Sequence, residues 1–263
     1  MGKLIEDLIT RILEEIDLNT LRIKALSKGF RFTCTMLDDE SCGLCFSVFN
    51  QEPLDSVECI KTASSVMDLD IGKVLQFAGN EEINIEKVLG ISVLNAVSQH
   101  IIKNKMDQYN LLFDGDPIEH IQFNSPDKVV MVGYIGGIFQ KLQRQIQNIT
   151  IIDDRLKNIQ SPTFNTLESS QSCLNQADVV LITGSTIVNN TLETVLSWIM
   201  NAREIILVGP SAGIIPDSLF DRNVTMVSGM QVLNPLKVLQ IIAEDGGTPH
   251  FKNYCRKYNI FRK

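Results

Sequence analysis

The sequence predicts an α/β protein of two domains, and two observations support this prediction. The first half of the chain combines helical periodicity with strand-forming runs and ends in polar breakers at residues 110–127. Beyond the breakers, short apolar runs alternate with helical segments, which is typical of a parallel sheet with right-handed connections and helices on both faces. We therefore expect an α+β domain over residues 1–124 and a parallel-sheet domain over residues 125–263.

The first domain is predicted to contain three helices and a hairpin. Residues 4–16 place apolar side chains every three or four positions between charged ones, which indicates an amphipathic helix. Residues 21–37 and 42–49 are rich in strand formers on either side of a polar turn, so they predict an antiparallel hairpin. Residues 67–78 and 85–102 return to helical spacing and predict two helices packed on that hairpin.

The second domain is predicted to bind a ligand where its strands end. Its apolar runs predict parallel strands at residues 128–133, 149–153, 178–183, 204–208 and 224–227. In a doubly wound sheet, ligands bind outside the carboxyl ends of the strands, where loops and helix N-termini converge. Three of these loops combine glycine with small polar groups. Their candidate ligand-binding residues are Gly133, Tyr134, Gly184, Ser185, Thr186, Asn189, Gly209, Pro210 and Ser211.

The same residue types also make tight turns and cap helices, so a structural role is equally consistent with any single loop. A dinucleotide fingerprint needs glycine at its first, third and sixth positions, whereas Ile135 and Ile138 occupy the third and sixth positions when Gly133 is the first. NAD and FAD are therefore not expected. Asp153 lies about 20 residues after Gly133, where a ribose-binding acid would lie, and joins the candidate ligand-binding residues.

The composition excludes some partners. The 263 residues carry a net charge of -7 and no long basic run, so nucleic acid is not an expected partner. The basic residues from Lys252 to Lys263 are interpreted as a solvated end. No stretch of 18 uncharged apolar residues and no secretory signal occur, so a cytoplasmic protein without a membrane partner is expected. Self-association into a homo-oligomer is left open.

Metal ligands are judged on six cysteines and three histidines. Only Cys42 and Cys45 have a chelating spacing, and residues three apart in a strand face opposite sides, so we interpret them as packing residues among reduced thiols. His250 follows Gly246 and Gly247, which can take the left-handed conformation that ends a helix. Such a turn would bring His250 over the sheet edge as a metal ligand; the alternative is a histidine that points into solvent.

Several segments together resemble the DUF364 family, whose name proposes heavy-metal chelation, preceded by a small DUF4213 domain. The segments are residues 90–96, 132–134, 184–192, 208–211, 246–248 and 251–252. The resemblance implies an N-terminal domain like the enolase N-terminal fold and a Rossmann-like C-terminal domain. This sequence departs from the family pattern after Tyr134, where Ile135-Gly136-Gly137 stand in place of Phe-Pro.

The function expected from the sequence is the binding of a small anionic ligand or a metal complex, at the sheet edge that faces the first domain. Chelation of a metal ion is what the resemblance implies. The hydroxyl and amide groups of the loops suit an oxyanion or a hard cation better than a soft heavy metal. The alternative is an enzyme, a lyase or transferase acting on a small anionic or nucleotide-like substrate, with Asp153 and His250 in acid–base roles.

Overall fold

The computed structural model describes residues 3–47, 69–159, 161 and 163–263. The helices are α1 (Lys3–Glu15), α2 (Ile71–Phe77), α3 (Ile85–Asn104), α4 (Gly136–Leu142), α5 (Gln171–Asn175), α6 (Ser185–Val188), α7 (Leu192–Trp198), α8 (Asp217–Phe220), α9 (Pro235–Ala243) and α10 (Thr248–Phe251). The strands are β1 (Ile23–Lys28), β2 (Phe32–Leu37), β3 (Cys42–Phe46), β4 (Asn110–Phe113), β5 (Val129–Val132), β6 (Ile149–Ile152), β7 (Phe164–Asn165), β8 (Val179–Thr183), β9 (Glu204–Val208), β10 (Met226–Val232) and β11 (Cys255–Phe261).

The first half of the chain forms a three-stranded antiparallel sheet in the order β1-β2-β3. The prediction of a simple hairpin was wrong, because residues 21–37 contain two strands and not one. Gly29 closes the turn between them by donating its N–H to the carbonyl of Phe32 at 2.8 Å. The predicted pairing across the polar turn is confirmed, since β2 and β3 pair with Met36 opposite Cys42. Residues 48 and 49 of the predicted second strand lie outside the described residues.

Three helices accompany this small sheet, and α3 packs directly on β2 and β3. The helix α2 packs mainly on α3, and α1 packs on α3 and α8, so the predicted packing of both later helices on the sheet is confirmed for α3 alone. The helix α1 buries Leu4, Leu8 and Ile12, which recur every four residues on its apolar face. The helix α2 begins at Ile71, where the Asp70 carboxylate accepts the N–H of Lys73, and residues 67 and 68 of its predicted start lie outside the described residues. The helix α3 is buried on nearly every side, because the small sheet packs on one face and the large sheet with its loops on the other.

The second half forms an eight-stranded, mostly parallel sheet in the order β4-β11-β10-β9-β8-β5-β6-β7. The five predicted parallel strands correspond to β5, β6, β8, β9 and β10, whose side chains are mostly buried between helices on the two faces of the sheet. The fifth begins two residues later than predicted, at Met226, and only its first three residues pair parallel with β9. The predicted α/β class is therefore confirmed. The edge strand β4 comes from residues before 125 and pairs with β11.

The prediction of a solvated basic tail was wrong. Residues 255–261 form β11, which pairs antiparallel with β10 over seven residues. Its basic side chains flank a buried stretch that contains Tyr258 and Ile260, 1% and 0% exposed, so the segment is amphipathic and not merely charged. Within the described part of the chain, no helix is long and apolar enough to cross a membrane.

Candidate functional site

The large sheet changes winding direction between β5 and β8. The chain moves from β5 outward to β6 and β7 on one side, and from β8 outward to β9 and β10 on the other. The loops that leave the carboxyl ends of β5 and β8 therefore diverge and open a crevice, which is the usual place for a ligand in such a sheet. Gly133 lies there at φ +82°, and a Cβ on it would collide with the side chain of Thr183.

A fixed charge lies beside this crevice at the end of β6. The buried carboxylate of Asp153 accepts the backbone N–H of Tyr134 at 2.9 Å, the backbone N–H of Arg155 at 3.0 Å, and two guanidinium hydrogen bonds from Arg155. Burial by itself would raise the pKa of Asp153, but the hydrogen bonds from Arg155 and Tyr134 outweigh it and the pKa is lowered. The Arg155 side chain is 67% exposed, so a positive group is held at an open edge.

The loop after β8 and the loop after β9 pack directly against each other. A Cβ on Gly184 would overlap the backbone of Ser211 and Ala212, so this glycine permits close packing and not ligand approach. Ser211 is buried, and its Oγ accepts the backbone N–H of Phe46 at 2.8 Å. The predicted ligand group of Ser211 is therefore used to join the small sheet to the large one.

Two other predicted side chains are also engaged within their own loops. The hydroxyl of Thr186 donates to the carbonyl of Thr183 at 2.7 Å, and the Asn189 side-chain oxygen accepts both the N–H and the hydroxyl of Thr191. Ser185 remains half-buried, and its hydroxyl donates to the Thr183 hydroxyl at 3.3 Å. Of these three residues, Ser185 has the hydroxyl most available to a ligand.

The residues of this edge that are open to solvent are not the same as the predicted ligand-binding residues. Gly209 has φ +118°, and no described atom lies within 4 Å of where its Cβ would be. The same holds for Gly137 in the first turn of α4. Tyr134 is 41% exposed, and Pro210 is half-buried. The accessible edge is defined here as Tyr134, Gly137, Arg155, Ser185 and Gly209.

Sequence reasoning missed Arg155 and Gly137. Arg155 follows the candidate Asp153 by two residues, so a search for cations next to a strand-end acid would have found it. Gly137 was noted only as a departure from the family pattern. Neither residue stands out by periodicity, because both lie in loops or first helical turns, where spacing carries little information.

His250 caps its own helix. It is exposed within α10, and its Nδ1 accepts the backbone N–H of Gly247 at 3.1 Å. The left-handed residue that ends α9 is Asp245, with φ 61°, and not Gly246 or Gly247 as predicted. Its carboxylate also accepts the N–H of Phe30. The Nδ1 atom of His250 and both carboxylate oxygens of Asp153 are thus engaged in hydrogen bonds within the protein.

A separate cavity of about 270 Å³ lies between α1, the turn after α2 and α6. Its lining includes Leu4, Asn80, Thr186, Asn190 and Glu193. Beneath it, the buried ammonium of Lys87 donates to the carbonyls of Ala78 and Asn80 and to Asn190 Oδ1. Because these three acceptors satisfy all three ammonium protons, the group has a structural role there.

These features define an α/β protein with a polar, glycine-bearing edge at the switch point of a doubly wound sheet. A family model described as "Putative heavy-metal chelation", DUF364, matches residues 116–261, and a second model with the same description, DUF4213, matches residues 9–98. Since the first match covers more than half of the sequence, the chain belongs to the DUF364 family.

Similar proteins come from archaea and bacteria. An uncharacterized protein of Methanocaldococcus jannaschii is 26% identical over 200 residues, which are 73% of this chain and 74% of the relative. A DUF364-family structure of unknown function from Pyrococcus horikoshii has a TM-score of 0.79 at 21% identity, over 98% of this chain and all of that one. A second, from Desulfitobacterium hafniense, has a TM-score of 0.77 at 18% identity, over 98% and 99%. The two structures show the shared fold.

The residues at the accessible edge do not fit a bare heavy-metal ion. Heavy metals of soft character prefer thiolate and thioether ligands, whereas this edge offers hydroxyls, backbone groups and a carboxylate already bound to Arg155. Over the described ranges, no group of three or more His, Cys, Asp or Glu side chains is arranged to hold a metal. The groups at the accessible edge therefore suit an anion or a preformed metal complex better than a bare heavy-metal ion.

Proposed function

We propose that the accessible edge binds a small anionic ligand, either a free oxyanion or carboxylate or a metal complex that presents anionic groups. The observation that carries this proposal is Arg155, an exposed guanidinium fixed by the buried carboxylate of Asp153. A guanidinium presents planar donors that match carboxylate and phosphate oxygens. Because Asp153 restrains the side chain in advance, less conformational entropy is lost when a ligand binds.

The position of Arg155 supports the same proposal. Asp153 joins Arg155 to the backbone of Tyr134, which lies at the start of the loop that leaves β5. Gly133 contacts Thr183 at the end of β8, so the charge lies beside the winding-direction change of the sheet. Open space at Gly137 and Gly209 lets a ligand approach the backbone.

Thermal unfolding in the presence of phosphate, citrate and chelated metal ions tests the proposal. A ligand at about 100 times its Kd stabilises the folded state by about 2.7 kcal/mol. For a protein of this size that corresponds to a Tm increase of roughly 5 to 10 °C. Arg155→Gln should remove the increase, whereas Arg144→Gln, which neutralises an exposed arginine near the end of α4, should retain it.

Gly137→Leu provides a second variant that blocks the site without straining the backbone, since its side chain would enter open space. It should fold normally and lose the ligand-dependent increase in Tm. If Arg155→Gln, Gly137→Leu and the unmodified protein all respond to the same anions alike, the binding surface lies elsewhere and the proposal fails.

A further inference from the structure

Five sulfur-bearing side chains belong to one hydrophobic cluster on the far face of the small sheet. This sulfur cluster consists of Cys34, Met36, Cys42, Met230 and Cys255, which pack together with residues of α9 and with Phe251. Cys34, Met36 and Cys42 are 0%, 2% and 3% exposed. The five residues come from four strands of two sheets, so only the folded chain brings them together.

Strand register explains three of the five positions. Cys34 and Met36 are two residues apart in β2 and therefore point to the same face. In the pairing of β2 with β3, Met36 lies opposite Cys42 and Cys34 lies opposite Leu44, so Cys34 and Cys42 are diagonal neighbours on that face. Cys45, three residues after Cys42, points the other way and packs in the core around α3.

The other two sulfurs come from the large sheet. Val232 lies opposite Cys255 in the pairing of β10 with β11, which places Met230 and Cys255 diagonally on one face. Cys255 is half-buried, and both residues line an open cavity of about 550 Å³. The cluster therefore has a route to solvent past Cys255.

The thiols interact with one another. A hydrogen bond with the Cys42 thiol, reinforced by burial, holds the pKa of Cys34 well above its usual range. Burial first, and then the neighbouring Cys42, raise the pKa of Cys255 to about 12. Any cation that binds the thiols must displace their protons.

We propose that the sulfur cluster is a binding site for a soft monovalent cation, Cu(I), held by Cys34 and Cys42 with the Met36 thioether as an additional ligand. Thiolate and thioether ligands select soft cations such as Cu(I). Structural zinc requires four ligands from Cys, His or acidic residues, and no group of even three is arranged for this within the described residues. Two thiolates and a neutral thioether are a sufficient ligand set for Cu(I).

The net charge of Cu(I) bound by two thiolates is compatible with the surroundings of the sulfur cluster. Each thiol loses its proton as its sulfur–copper bond forms, so two protons are released and the centre carries one net negative charge. A buried unpaired charge is costly. Lys252, Arg256 and Lys257 line the adjoining cavity together with Asp114. Arg256 pairs with Asp114 and Lys257 with Asp116, and Lys252 adds a further positive charge at this cavity. This site is independent of the one proposed at the accessible edge.

Anaerobic titration with Cu(I), in competition with a coloured Cu(I) chelator, tests the inference on the full chain. One equivalent should bind tightly, and excess Zn(II) should not displace it. Cys42→Ala should lower the affinity by roughly 100-fold or more, because loss of a group that only orients a metal ligand already costs 10- to 100-fold. Cys45→Ala, on the same strand but the opposite face, is the matched control and should leave the affinity unchanged.

Equal affinities for Cys42→Ala and Cys45→Ala, or displacement of copper by zinc, would overturn the inference. X-ray absorption of the unmodified protein loaded with one equivalent of Cu(I) keeps it testable if Cys42→Ala does not fold. A first shell of two or three sulfur atoms is expected. A first shell that contains nitrogen or oxygen shows that copper binds elsewhere and contradicts the proposed site.

Discussion

At the scale of single residues, the most consequential side chains are charged groups whose partners are fixed. Asp153 is buried at the end of β6, and its oxygens accept hydrogen bonds from Tyr134 and Arg155. These bonds favour the ionised form and lower the pKa of Asp153 despite its burial. The carboxylate thus stabilises the fold of the edge while it positions Arg155.

Asp153→Asn should destabilise the protein by about 1 to 3 kcal/mol at pH 7, because charge-assisted hydrogen bonds are lost. A carboxyl group whose pKa is lowered on folding contributes stability above its unfolded pKa, near 3.9, and loses this contribution as the pH falls through the folded value. Urea unfolding from pH 7 to pH 3 should therefore show the two proteins converging in stability. A difference that grows in acid would contradict this role.

Lys87 is a second buried charge, 1% exposed, and burial lowers its pKa. Its ammonium joins the turn after α2 to Asn190, in the loop after α6. Lys87→Met should destabilise the protein by about 1 to 3 kcal/mol, because buried oxygens lose their donors. Lys73→Met, at an exposed position of α2, should change the unfolding free energy little. Similar decreases in the unfolding free energy for both variants would show that the buried hydrogen bonds of Lys87 do not stabilise the fold.

At the scale of elements, glycines have two opposite functions. Gly43 lets β3 approach α3, since a Cβ there would overlap the backbone of Ser92, Asn95 and Ala96. Gly137, by contrast, faces open space in the first turn of α4. The sequence presents both as glycines beside strands or helices and does not distinguish them, because the difference depends on a partner element that is distant along the chain.

Substitution by alanine should separate the two functions. Gly43→Ala should cost about 1 to 3 kcal/mol, as overpacking of a core does. Gly137→Ala should be neutral or stabilise the helix by up to about 1 kcal/mol. Chemical denaturation of the two variants measures both effects, and equal changes would show that the packing of β3 on α3 is not as close as described.

Most elements could be predicted from the sequence because their patterns are local. The strands β5, β6, β8 and β9 are short, mainly apolar runs, and α1 has clear helical spacing. The division of residues 21–37 into two strands was missed, because Gly29 was the sole turn signal within a strand-forming run. The strand β11 was missed because its buried residues are few and consecutive, with no alternation, and lie beside basic residues.

At the scale of the whole molecule, the two sheets are joined by buried polar contacts through α3. Asn95 donates to the carbonyl of Leu44 in β3 and to that of Ser211 in the loop after β9. Gln99 donates to the carbonyl of Gly213 and to the Tyr258 hydroxyl, which lies in β11. Because such groups are costly to bury unpaired, separating the sheets would expose or orphan them together.

The two halves of the protein should therefore unfold in one transition. The single tryptophan, Trp198, reports on the second half, whereas far-UV circular dichroism reports on all helices and strands. Urea unfolding curves from the two signals should coincide. A fluorescence transition at a clearly different urea concentration would show that the halves unfold independently and that the contacts of α3 do not couple them.

The candidate site was only partly predictable for the same reason. The sequence identified the strand ends, Gly133, Tyr134, Ser185 and Gly209, because glycine and hydroxyl residues after strands are a local signal. It did not reveal that the Ser211 hydroxyl accepts the backbone N–H of Phe46, a residue 165 positions away in the sequence. The sulfur cluster was equally hidden, since Cys34 and Cys255 meet only after both sheets have formed.

Crystals grown with tungstate, a tetrahedral oxyanion with a strong anomalous signal, test the central claim most directly. The account predicts an anomalous peak at the accessible edge, within hydrogen-bonding distance of the Arg155 guanidinium. Crystals of Arg155→Gln grown in the same way should lack that peak. Tungstate bound elsewhere in the unmodified protein, with the accessible edge empty, would contradict the claim that this edge binds anions.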